Sequence, residues 1–434
     1  MNKMKLLLLL MVLCSLTATA QTITMFAGTL SDCGFGGDGA PATNAQLCHV
    51  TSMRTNSTGS VFFCNDGREI REVTPDGILH TPAFNSLFST FFHIKDFVID
   101  GADNIYVFSE DSACVYKITP SGVMSSYAGI SGNLATSIPD GSVAISTPIM
   151  YASCMAIDRF GNIFLASGGA FVHKITPAGL IYRVAGDGVF GGYSGDNGPA
   201  TLAQFMNITT MACDSAGNLF IADFDNNRVR KVDLNTSIVT TYFQTNTGFT
   251  GDGGPATAAG YGYVYTLSAR GNDLYIADEA ARVRRINATG IINTVAGTGI
   301  LGFSGNGGPA LAANIVAAYL HIQPSGTIYI GQSSTYTIRK VTGDYLLGVN
   351  NHLATSIKIY PNPSNGKLIV ELPASSSEVN ITVTDMVGRV IISRSYEPGI
   401  KEIFIENSEL KEGNYIIATV SKEFANTQLL TIVK

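Results

Sequence analysis

Five residues of like chemistry recur along the chain: Asp38, Asp140, Asp196 and Asp252, then Asn306, at intervals of 102, 56, 56 and 54 residues. Each stands among glycines, and oxygen ligands on flexible loops are what Ca²⁺ takes. No single loop carries several carboxylates, so the alternative is that each side chain caps its own loop by accepting backbone N–H groups. A second spacing links His49 and His93, each 12 residues before a strand-like segment. Inward histidines with acidic groups can hold Zn²⁺ or Ca²⁺ for hydrolysis or elimination. Tyr151, Asn207, Gly262 and Val316 fill the same offset elsewhere, and His321 lies only seven residues before its segment. A third ligand is therefore missing, and solvent-bonded loop histidines are the competing reading. Arg228, Arg230, Arg282 and Arg284 make two stretches locally basic. That suits a solvated sheet edge, or an anionic glycan or acidic partner. The chain has no G-x-S-x-G, no H-E-x-x-H and no phosphate loop, so no residue is assigned a catalytic role.

The elements that must position these residues repeat six times. Strand-like segments begin at Val61, Ile105, Ile163, Leu219, Leu274 and Ile328, at intervals of 44, 58, 56, 55 and 54. Repeats of short strands and turns with such a period mark propellers or solenoids, because one unit cannot bury its apolar face alone. The third and fourth units each read as four strands. Asp158 and Asp214 open turns that Gly161 and Gly217 close, since an Asp side chain bonds turn backbone and Gly takes positive φ. The sixth unit lacks an outer strand after Val341, whereas Thr22 to Ala27 has the outer-strand pattern before any inner strand exists. The spacing predicts that the first strand closes the ring through the last unit, which removes exposed edges.

Composition fits an all-β chain: charged residues are 14% and 46 of 434 residues are Gly. Residues 1–20 run from basic through an apolar stretch to Ala18-Thr19-Ala20, the order of a cleavable export signal. Cleavage is placed before Gln21. Without Lys3 and Lys5 the 27 basic residues become 25 against 33 acidic ones, a net charge near −8 that argues against nucleic acid. No later segment is long and apolar enough for a transmembrane helix. The protein is expected to be a monomer. Among the cysteines left after the signal, Cys33 and Cys48 share one irregular loop, where a disulfide is possible in an exported protein.

The motifs GDNGPAT at Gly195, GDGGPAT at Gly251, GDGAPAT at Gly37 and GNGGPAL at Gly305, with NNRVRKV at Asn226, resemble the NHL-repeat β-propellers. The resemblance covers about 330 residues, though the second unit lacks the Gly-Asp loop. It implies a six-bladed propeller over residues 21–351 and a recognition platform rather than a reaction.

From His352 the composition turns toward Ile, Val, Ser, Lys and Glu, with alternating apolar residues and frequent turns, as in a small immunoglobulin-like β-sandwich. Residues 352–434 closely resemble the type A sorting domain of the type IX secretion system. The matching positions are Tyr360, Pro361, Asn362, Pro363 and Gly366, then Asp385, Gly388 and Arg389, then Gly413, Asn414 and Tyr415, and terminal Lys434. The resemblance implies the type IX machinery as a partner, passage across the outer membrane of a Gram-negative cell, and release or surface attachment. The alternative is an ordinary adhesion module. The sequence thus reads as a secreted or surface-attached, non-catalytic binding protein for an extracellular protein or glycan. Its alternative is a metal-dependent hydrolase or lyase with Ca²⁺ or Zn²⁺ at the propeller channel.

Overall fold

The computed structural model describes residues 21–30, 33–88, 92–134, 137–188, 191–244, 248–317, 319–343, 358–365, 367–372, 378–385, 390–406, 410–420 and 425–433. The export segment at residues 1–20, the proposed boundary at 351/352, and Gly366, Gly388, Arg389 and Lys434 lie outside them. Contacts divide the chain into two compact units, Met1–Asp344 and Tyr345–Lys434.

The first unit holds six antiparallel sheets. In the fourth, Ile208–Cys213, Asn218–Asp223, Arg228–Asp233 and Ile238–Gln244 run as a meander from the inner strand outward. The first, second, third and fifth repeat this order, and the sixth takes its outer strand from the start of the chain. The segments used to find the repeat are the second strands, and Val61–Asn65, Ile105–Ser109, Ile163–Ser167 and Ile328–Gln332 are buried at every residue. A strand covered on both faces reads as a continuous apolar run rather than an alternating one. Apolar clusters accordingly straddle neighbouring sheets, as where Ala156 and Phe164 of the third pack with Met211 and Ile221 of the fourth.

The innermost strands touch in cyclic order, from Val50–Thr55 through Ile94–Ile99, Ala152–Ile157, Ile208–Cys213 and Val264–Arg270 to Tyr319–Ile322 and back to Val50–Thr55. Thr22–Ala27 is the outer strand of the sixth sheet, pairing antiparallel with Thr337–Thr342 in the register Ile23 to Val341. The predicted closure by the first strand is therefore present. Turn chemistry also follows the sequence. Asp214 Oδ1 accepts from Ala216 N and Asn218 N at 2.9 and 2.8 Å, and Asp158 does the same for Phe160 N and Asn162 N. Cys33 and Cys48 are joined as a disulfide, Cα to Cα 4.4 Å.

The second unit consists of a three-stranded sheet (Lys358–Tyr360, Lys367–Glu371, Glu402–Glu406) and a four-stranded one (Val390–Tyr396, Val379–Asp385, Gly413–Val420, Ala425–Ile432). Both contribute to one core that includes Ile359, Val370 and Ile405 with Ile381, Ile417 and Leu430. The Tyr360-Pro361-Asn362-Pro363 stretch is tied to the last strand: Asn362 Oδ1 accepts from Thr431 N at 3.0 Å, and Ser364 N donates to Thr431 O at 2.8 Å. Tyr415 closes its own corner, its hydroxyl bonding Lys411 N and Lys411 O at 3.1 Å each.

Candidate binding site

One register position of every third strand carries a large polar or aromatic side chain. It is Arg71, Tyr116, His173, Arg230, Arg284 and Arg339 in sheets one to six, opposite Phe63, Val107, Leu165, Ile221, Ile276 and Ile330. All four arginines are fully buried. A buried guanidinium needs compensating charge and acceptors for its donors. For Arg230 and Arg284 the Gly-Asp loops supply both.

Arg230 donates to Asp196 Oδ1 from Nε and Nη2 at 3.1 and 2.8 Å, to Gln204 O from Nη1 at 3.2 Å, and to Ser194 O from Nη2 at 3.1 Å. The rings of Tyr193 and Phe205 lie 4.9 and 5.0 Å from its guanidinium carbon. Arg284 repeats the arrangement with Asp252 Oδ1 at 3.2 and 2.8 Å, Gly260 O at 2.7 Å, Thr250 O at 2.9 Å and Phe249 at 4.6 Å. The loop must pack tightly to reach its arginine. Gly195 and Gly251 have φ of +86° and +91°, and a Cβ on either would approach the Cα of Ala203 or Ala259 to 2.6 or 2.7 Å. Partial burial opposes ionisation of Asp196, yet the Tyr193 and Thr241 hydroxyls and Arg230 hold it below the usual carboxylate range.

The predicted rim residues are thus brought together as pairs within one sheet, Asp196 with Arg230 and Asp252 with Arg284, rather than as a shared carboxylate ring. Arg230 and Arg284 are buried, so neither reading of a solvated edge or a partner contact fits them: their donors are taken by the loop. Arg228 and Arg282 lie further out, stacked on Tyr193 at 3.8 Å and Phe249 at 3.6 Å. Asp38 is exposed, and Arg71 turns instead to Glu69 Oε1 at 3.1 Å and Phe35 O at 3.2 Å. Asp140 accepts from Arg183 N at 2.6 Å. In the sixth sheet Asn306 stands where the carboxylate would be. Arg339 there donates to Asn314 O at 3.2 Å, its Nε and Nη2 make no hydrogen bond among the described residues, and burial pushes it down to about 10. Asn306→Asp is therefore expected to stabilise the unit by about 1.5 kcal/mol, the scale of a hydrogen bond to a charged group, read as a higher urea midpoint with unchanged slope.

The six innermost strands surround a cavity of about 640 Å³. Its charged wall is an interlock between the first three sheets. Arg54 Nη2 reaches Asp96 Oδ1 at 3.4 Å, and Asp96 Oδ2 accepts from Met155 N at 2.8 Å. Burial raises the Asp96 carboxyl despite Arg54. Further sheet-to-sheet bonds run from Ser153 Oγ to Ile208 O at 2.5 Å and from Leu267 N to Thr210 Oγ1 at 3.2 Å. His321 Nε2 pairs with Thr55 Oγ1 at 2.9 Å, and burial pushes its imidazole down to about 3.

His49 and His93 sit where the chain leads into the first and second inner strands, both exposed. Each meets a carboxylate from its own sheet, His49 Nδ1 with Asp66 Oδ1 at 3.4 Å and His93 Nδ1 with Glu110 Oε2 at 2.9 Å. Among the described residues no three His, Cys, Asp or Glu side chains are grouped to hold a metal ion. The lead-ins of the third and fifth sheets place aromatic side chains instead: Tyr151, Tyr263 and Tyr265 are 52%, 44% and 47% exposed, and Tyr265 lines the cavity. Tyr263 stacks on Phe224 at 5.2 Å, which fixes its ring. The sequence reading missed Arg54 and Asp96, which occur once each, and Arg71 and Arg339, which the EIREV and TIRKV strands would have shown beside RVRKV.

Residues 358–433 match the secretion system C-terminal sorting domain family. Over 236 residues the chain is 28% identical to teneurin-3 of Mus musculus, covering 47% of this chain and only 9% of that much longer protein. A Bacteroides thetaiotaomicron protein of unknown function has a similar structure, with TM-score 0.55, 14% identity, and 75% of this chain and 76% of that one covered. An auxiliary nutrient binding protein of Bacteroides ovatus is comparable, with TM-score 0.52, 12% identity and coverage of 75% and 77%. At these identities the likeness is one of fold, and it makes the first unit propeller-like. No helix among the described residues is long and apolar enough to cross a membrane. Residues 358–433 are thus a type IX secretion sorting domain, which indicates secretion and attachment to the outer cell surface.

Proposed function

We propose that the first unit is a six-bladed NHL-type propeller, carried outside by an immunoglobulin-like sorting domain, that binds an extracellular protein or glycan without catalysing a reaction. Recognition is through the channel mouth. The observation that carries this reading is the exposure of Tyr151, Tyr263 and Tyr265 around the leads into the inner strands. Tyrosines offer large contact area at low entropy cost together with a hydroxyl, so they suit protein or sugar surfaces. Polar groups of the channel wall are engaged with one another, Arg54 with Asp96 as an ion pair and His321 with Thr55 through a hydrogen bond. The nutrient-binding role named for the Bacteroides ovatus neighbour is compatible with this reading.

The test is a glycan and surface-protein array probed with residues 21–351, beside a Tyr151→Ser, Tyr263→Ser, Tyr265→Ser variant. Loss of about 30-fold in affinity for whatever binds is expected, the scale of a 2 kcal/mol hot spot, with the melting temperature unchanged. Undiminished binding by the variant would remove the channel mouth from the proposal. The second reading, a metal-dependent hydrolase or lyase, draws on the His49–Asp66 and His93–Glu110 pairs at the same mouth.

A further inference from the structure

The third sheet has a socket that the described residues leave unfilled. In sheets four and five the space beneath the Gly-Asp loop is occupied by Arg230 and Arg284, held by Asp196 and Asp252. In sheet two the corresponding Tyr116 packs on Phe92 at 5.3 Å. Sheet three keeps the carboxylate, Asp140, but has His173 in place of the arginine. The shorter side chain leaves a cavity of about 400 Å³ bounded by Asp140, Asp187, Arg183, Phe171, Met150 and His173.

His173 is only 3% exposed, and its Nδ1 lies 2.6 Å from Ser167 Oγ. Its Nε2 makes no hydrogen bond among the described residues. Burial pushes the imidazole down to about 4 against the pull of Asp140, so it is neutral near pH 7. In the tautomer whose Nδ1–H donates to Ser167, Nε2 offers a buried lone pair to the cavity. Asp140 takes one backbone donor, Arg183 N, as Asp252 takes Thr294 N at 3.0 Å while still binding Arg284. The Asp140 carboxylate thus retains the acceptor capacity that its counterparts spend on a guanidinium.

We propose that this cavity binds the guanidinium group of an arginine from another molecule. Asp140 receives it as Asp196 and Asp252 receive theirs, the Phe171 ring lines its approach, and His173 Nε2 accepts from its inner edge. A guanidinium is preferred to an ammonium because its planar fork matches a carboxylate and stacks on an aromatic face. Among the described lining residues Arg183 is the like charge a guanidinium would meet, which limits affinity. None of Tyr151, Tyr263 and Tyr265 lines this cavity, so variants at the two places test the two readings separately.

Calorimetry with the full chain tests it, using free L-arginine, an acetylated and amidated peptide with one central arginine, and the same peptide with citrulline. Saturable binding of an arginine probe but not of the citrulline peptide is expected. Asp140→Asn should weaken it at least about tenfold, or 1.4 kcal/mol, and Arg183→Gln should tighten it. His173→Arg should abolish it by filling the socket from within, and should raise the melting temperature. Tighter binding of the peptide than of the free amino acid would assign the site to a partner chain, and the reverse to a small molecule. Absence of binding to either arginine probe, equal binding of citrulline, or binding indifferent to both Asp140→Asn and His173→Arg would overturn the proposal.

Discussion

Deletion of residues 21–28 is expected to abolish the cooperative unfolding transition of the propeller-like unit, or to lower its midpoint by more than about 10 °C. Thr22–Ala27 pairs with Thr337–Thr342 along five register positions, and Ile23 and Ala27 are fully buried. The same segment accepts from Gly307 N and Ala310 N through Ile23 O and Gln21 O at 2.8 and 2.7 Å, and Gly28 N donates to Ala42 O at 2.9 Å. Its removal strips one ladder, uncovers an apolar edge and unties the lead into the first sheet at once. Ile23→Asp, which keeps the backbone but buries a charge, should reproduce most of the loss. An unchanged melting curve for both proteins would show that the ring does not depend on this strand.

Asp252→Ala is expected to cost about 3 kcal/mol, because Arg284 would stay buried without the carboxylate that takes two of its donors, leaving only the more loosely coupled Asp278 to offset its charge. The side chain of Arg284 is fully buried while that of Asp252 is 35% exposed, so the carboxylate is the replaceable partner and the cation the trapped one. Urea unfolding of Asp252→Ala, Arg284→Met and the double variant separates the two effects. The double variant should recover much of the loss, since a methionine fills part of the arginine volume without needing acceptors. A cost below about 1 kcal/mol for Asp252→Ala would mean that the clamp has the weight of a surface ion pair.

The repeat, the closure strand and the Asp-opened turns were legible because each is written in local chemistry and copied from sheet to sheet. The role of the arginines was not. Alternation in RVRKV marks two faces, but both faces of a strand between neighbouring sheets are covered, so period two cannot say which Arg is solvated. Arg230 finds its carboxylate 34 residues upstream and Arg284 finds its own 32 upstream, inside loops whose glycines looked sufficient as turn formers. The Arg54–Asp96 contact escaped for another reason: each residue occurs in one copy only, and comparison of repeats discards what does not recur. The cavity of the third sheet is legible only by contrast, since His173 signifies something once four buried arginines are seen at the same register.

Whether the mouth recognises a partner or holds a reactive ion is decided by elemental mass spectrometry of residues 21–351 beside a His49→Ala, His93→Ala variant. A recognition surface predicts no stoichiometric ion that depends on these histidines, whose Nδ1 atoms already meet Asp66 and Glu110. One Zn²⁺ or Ca²⁺ per chain in the parent protein, absent from the variant, would contradict it and make the channel a metal centre.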